Sequence, residues 1–96
     1  MKILNDQPVD NLRPEILLAM RLLDDLYSRE GEKLEITWTT GGKHMVGSLH
    51  PKRRAFDALP PSVIPAAIVR LAQKILGPDY DVVLEAECVH VEWDPK

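Results

Sequence analysis

The chain has 96 residues, 45% of them apolar and 28% charged, with a formal net charge of −3. A chain of that length makes one domain, spanning 1–96, with one core and little stability margin. The acidic balance argues against nonspecific nucleic-acid binding as the main role, and no stretch is apolar for long enough to span a bilayer. A lone cysteine, Cys88, excludes an internal disulfide.

In chain order, the first twelve residues read as an extended lead-in with an edge strand around Lys2–Leu4. Pro14 suits the first turn of a helix, where its missing N–H costs nothing. Ile16, Leu17, Met20, Leu23, Leu26 and Tyr27 recur at helical spacing up to Gly31, which predicts a helix over 14–29. Leu34, Ile36 and Trp38 alternate with Glu35, Thr37 and Thr39, the period of a half-buried strand. Gly41-Gly42 ends it, and 41–61 read as a long loop, a kind of segment that usually serves function. Ser62 is placed to cap a second helix with Pro65 in its first turn and Ile64, Ile68, Leu71, Ile75 and Leu76 on its apolar face. Gly77-Pro78 stops that helix. Tyr80–Leu84 and Cys88–Trp93 then form two strands around a turn near Glu85-Ala86-Glu87. This order predicts an α+β fold: a small, mostly antiparallel sheet packed on two helices.

Two of the three histidines, His50 and His90, fall in short segments forty residues apart, Ser48–Asp57 and Glu87–His90. Two imidazoles and a carboxylate can hold Zn²⁺ and leave a fourth position for water, and a further carboxylate can act as base. On the last strand Val89, Val91 and Trp93 share one face, and Cys88, His90 and Glu92 the other. The same periodicity also describes a solvent-side histidine on a half-exposed sheet. Glu87, three residues before His90, reaches the same site only from a turn or a bulge. Cys88 is a possible fourth ligand, which would close the site and make a zinc structural. The run Lys52-Arg53-Arg54 reads as a solvated loop or as a contact for an anionic polymer.

Ser48-x-His50-x-x-x-x-Ala55-x-Asp57, followed by Glu87-Cys-Val-His90-Val-Glu-Trp93, resembles the two motifs of the zinc D-alanyl-D-alanine carboxypeptidases and dipeptidases. That family includes the VanX-type enzymes, phage L-alanyl-D-glutamate endopeptidases (endolysins) and the related hedgehog-type domain. Thr39-Thr-Gly-Gly-Lys-His44 is similar to the segment preceding the first ligand in compact members. Arg53 stands where the family has glycine, and Lys43 where members usually carry an arginine. The resemblance covers about residues 14 to 95. It implies a hedgehog-like fold, with His50, Asp57 and His90 holding Zn²⁺ and Glu87 as general base toward zinc-activated water. It also implies that Lys43, His44 and Ser48 face the substrate, a peptide bond in peptidoglycan stem peptides of the bacterial cell wall. The expected partners therefore include no specific nucleic acid and no membrane. The N-terminus lacks the apolar run of a secretory signal, so the expectation is synthesis in the cytoplasm, with a phage-encoded protein reaching the wall by lysis or a separate route. The alternative function is a non-catalytic zinc-binding or phage structural module with the same fold.

Overall fold

The computed structural model describes residues 1–4, 7, 9, 12–39 and 54–95. Its elements are β1 (Lys2–Ile3), α1 (Pro14–Arg29), β2 (Glu35–Trp38), β3 (Ala55–Ala58), α2 (Pro65–Leu76), β4 (Tyr80–Leu84) and β5 (Val89–Trp93). The strands form one five-stranded mixed sheet in the order β1-β2-β3-β5-β4. β1 runs parallel to β2, and every other pairing is antiparallel. The architecture is α+β.

α1 forms where its sequence predicts, because Pro14 opens it and Ile16, Ala19, Met20, Leu23, Leu26 and Tyr27 make one buried stripe. It ends in a paired capping turn. Gly31, at φ 72°, donates to the Ser28 carbonyl, and Glu32 to that of Tyr27, both at 3.0 Å. The left-handed residue is glycine, as this terminator favours.

α2 departs from its prediction at both its start and its face. Ser62 does not cap it. The residue at the N-cap is Ile64, in the left-handed region at φ 42°, with no side-chain cap. The preceding amides of Ser62 and Val63 instead donate to the Glu32 carboxylate, at 2.6 and 2.8 Å. That contact lowers the Glu32 pKa. The buried face is Ile68, Val69 and Ala72, while Ile64, Leu71 and Ile75 are exposed. The apolar stripe is wider than the surface that covers it: α2 rests on β4 and α1, and Ile64 and Leu71 only line a surface pocket beside Leu26 and Arg29 of α1.

Gln73 fastens α2 to the strand that follows. Its Nε2 donates to the carbonyls of Gly77 and Tyr80, and its Oε1 accepts from the Val82 amide at 2.8 Å. Tyr27, from α1, donates its hydroxyl to the Leu59 carbonyl at 2.7 Å, tying the first helix to the end of β3.

The largest correction concerns the expected loop over 41–61. Its far end, Ala55–Ala58, is a strand in the middle of the sheet, between β2 and β5. Four residues are too few for a periodicity to announce a strand. Ala55, Phe56 and Ala58 are fully buried, so this short segment is held by its surroundings on both edges. Phe56 packs in a core shared by Ile16, Met20, Tyr27, Leu34, Ile36, Val89 and Val91.

Candidate functional site

β3 and β5 are paired so that Phe56 faces Val91 and Ala58 faces Val89, with all four in the core. Side chains alternate along a strand, so the residues between them point to the opposite face. Those are Asp57, directly across from His90, and Glu92, across from Ala55. β4 adds Val83 opposite His90 and Asp81 opposite Glu92. A register shift in β2 between Ile36 and Trp38 sets Trp38, 38% exposed, opposite Asp57. The hydrophobic demand of the core thus places a polar row on the other side of the sheet.

Within that row the contacts are short. Asp57 Oδ1 lies 2.8 Å from His90 Nδ1, and Glu92 Oε1 lies 2.7 Å from His90 Nε2. The three side chains are 16%, 18% and 22% exposed respectively, so the pairs are shielded from bulk water. Hydrogen bonding to Asp57 raises the His90 pKa most, Glu92 adds to it, and burial opposes both; the outcome is a value pushed up to about 9. Near neutral pH, without a metal, His90 is an imidazolium donating one N–H to each carboxylate.

The turn between β4 and β5, closed by the Glu85 amide donating to the Cys88 carbonyl at 2.8 Å, brings up a second set. Ligand-capable atoms of Asp57, Glu85 and Cys88 lie within 4.8 Å of one another. Cys88 Sγ is 3.7 Å from Glu85 Oε1. Burial first, then the charges of Asp57 and Glu85, push the thiol up to about 12. Glu87 sits exposed in the same turn and belongs to neither group of three metal-capable side chains among the described residues. The other such group, Asp81, Glu92 and Asp94, lies along the β4–β5 edge.

Of the residues singled out from the sequence, Asp57 and His90 are therefore in contact, and Glu87 is at the turn beside them. Lys43, His44, Ser48 and His50 lie outside the described residues. Two participants had no assigned role in the sequence: Glu92 and Glu85. For Glu92 the signal was present, since a residue two after His90 on a strand shares its face. Glu85 carried no such signal, because its approach to Asp57 depends on how the turn folds.

Imidazole, carboxylate and thiol are all donor types that zinc accepts, but among the described residues the group of three that includes Asp57 joins it to Glu85 and Cys88 and not to His90, whose ring is hydrogen-bonded to Asp57 and Glu92. No protein-family model, no curated protein and no solved structure matches this chain. Among the described residues, no helix is long and apolar enough to cross a membrane.

Proposed function

We propose that this chain is a zinc-dependent peptidase that hydrolyses a peptide bond in peptidoglycan stem peptides, with a hedgehog-like version of the α+β fold. The observation that carries the reading is the contact between Asp57 and His90. These two residues belong to separate motifs, 33 positions apart, and the reading requires that they share one cation. Strand register sets the two side chains in contact at 2.8 Å on the face opposite the core, and this nearness supports the reading.

In this reading His50, Asp57 and His90 hold the metal. A bound Zn²⁺ supplies Lewis-acid polarisation of a carbonyl and makes water a stronger acid. Glu87 is the base that takes the proton, from a turn that gives its carboxylate access to solvent. Lys43, His44 and Ser48 belong to the substrate side. A phage-encoded protein made in the cytoplasm and reaching the wall by lysis fits this activity.

A second reading is favoured by one observation, the gathering of Cys88 with Asp57 and Glu85. A thiolate ligand would close the coordination shell and make the zinc structural, in a binding module without turnover. Elemental analysis of the purified chain, beside His90→Ala and Asp57→Ala, together with cleavage of a cell-wall stem peptide, separates these. One zinc per chain with cleavage supports the peptidase. Zinc without cleavage supports the module, and no zinc even after incubation with the metal overturns both.

A further inference from the structure

We propose that two copies of this chain pair through the helical side of the fold. The apolar seam between α1 and α2, with the unpaired charges on its rims, is the interface of a symmetric dimer.

The domain's own packing uses only part of α2. Ile68, Val69 and Ala72 are buried, whereas Ile64, Leu71 and Ile75 follow at intervals of seven and four, one stripe of a helix, on its outer side. Across the seam α1 presents Leu18 and Leu22, also one turn apart. Leu18, Ile64, Leu71 and Ile75 are between 44% and 61% exposed. Two surface hollows adjoin along α1, one beside Leu18 and Leu22, the other between Leu26 and the pair Ile64 and Leu71. A monomer rarely leaves so many large apolar side chains together in water. Ile64 adds a conformational cost, because at φ 42° it holds a branched side chain in the left-handed region. Within its own chain that side chain gains no cover to offset the strain.

The rim charges decide how the copies meet. α2 carries Arg70 and Lys74, both exposed, and no acidic residue. The rim along α1 is mixed: Arg21 and Arg29 stand one turn to either side of Asp25, and Glu30 follows at the end of the helix. Among the described residues, none of Asp25, Glu30, Arg70 and Lys74 is held in a salt bridge. Laying α2 on the α2 of a second copy would bring four cations together, which opposes association. Laying α2 of each copy on α1 of the other sets Arg70 and Lys74 against the rim that holds Asp25 and Glu30. A twofold axis running along the helices makes this contact twice, since each copy gives what it also receives. Leu71 and Ile75 then meet Leu18 and Leu22, and the four helices form one layer on another. Asp57 and His90, on the opposite face of the sheet, point away from this contact.

The test is sedimentation equilibrium of the whole chain over a wide concentration range, at low and at high salt. Wild type is compared with Leu71→Glu, with the double reversal Arg70→Glu/Lys74→Glu, and with that reversal carrying Asp25→Lys and Glu30→Lys as well. Each variant is first shown to be folded by its thermal unfolding transition. The expected result is a wild-type dimer that loosens as salt rises. Leu71→Glu and the double reversal should each raise its dissociation constant by about 10- to 100-fold, because symmetry repeats each change on both copies. Adding Asp25→Lys and Glu30→Lys should restore most of the affinity, a rescue that damage to α2 alone would not allow. Should Leu71→Glu fail to fold, the charge series decides. A chain that stays monomeric throughout overturns the proposal, as does a dimer that neither Leu71→Glu nor the double reversal weakens. Monomers that co-sediment with vesicles of anionic phospholipid would assign the face to a lipid surface and overturn it too.

Discussion

Asp57 and His90 are register partners on adjacent antiparallel strands, with Oδ1 of one 2.8 Å from Nδ1 of the other. The pair is locked from behind. Phe56 and Val91, the adjoining register partners, are buried in the core, so neither strand can slide without exposing them.

The pair makes stability depend on pH in the metal-free protein. The folded His90 pKa, about 9, lies above the ordinary histidine value near 6.5. A raised value means that the folded state binds the proton more tightly. The contribution is therefore complete below about pH 6.5 and is lost as pH rises through about 9. Allowing for solvent screening, its size is about 1–2 kcal/mol. Thermal unfolding in the presence of a chelator should show wild type losing more stability between pH 6 and pH 9.5 than His90→Gln. Asp57→Asn, which removes the largest cause, should bring the His90 titration down, as followed by NMR. Parallel pH profiles for wild type and His90→Gln would refute the coupling.

Under the proposed peptidase function, Glu87 and Glu85 are the two carboxylates of the β4–β5 turn to be tested as the base. Glu87 is the residue at the motif spacing, and Glu85 is the one gathered with Asp57 and Cys88. Replacing the true base by glutamine should lower kcat by about 10²–10⁴-fold with zinc retained, the range expected for general base catalysis. The expectation is that Glu87→Gln does so and Glu85→Gln has a much smaller effect. The reverse pattern in a stem-peptide cleavage assay would transfer the role to Glu85.

Cys88 should be a sluggish thiol. With its pKa pushed up to about 12, little thiolate exists at pH 8, and alkylation should run roughly a hundredfold slower than for an unperturbed cysteine. The same thiol reports on whether it joins the metal. Loading with Co²⁺ should give no thiolate charge-transfer band if the fourth position is open. Such a band, lost in Cys88→Ser, would favour the closed structural site.

Tyr27 offers a test of the scaffold. Its ring is buried and its hydroxyl donates to the Leu59 carbonyl just beyond β3. Tyr27→Phe keeps the packing but leaves that carbonyl without this donor, at a cost of about 1–2 kcal/mol in chemical denaturation. Burial and the Glu32 charge raise the Tyr27 pKa, so the phenol stays protonated at any working pH. Wild-type stability in the variant would mean that the hydrogen bond contributes nothing net.

What the sequence determined by itself is what short-range periodicity and end signals encode. Pro14 and Gly31 delimit α1, and the alternation from Val89 to Trp93 gives both β5 and the face on which His90 lies. The grouping of Asp57 with His90 was legible only as a spacing of motifs. The tertiary structure decided the rest. β3 is a four-residue strand that exists because β2 and β5 flank it, and no window of its own sequence could report that pairing. Glu32, thirty residues before Ser62, holds the amides of Ser62 and Val63 just ahead of α2, which starts with no side-chain cap, so local capping rules pointed to a cap that does not form. Glu85 approaches Asp57 through the geometry of a turn, and Glu92 meets the His90 ring only in the orientation that the paired strands give it. Local preferences act over a few residues, whereas burial and hydrogen bonding choose partners across the whole fold.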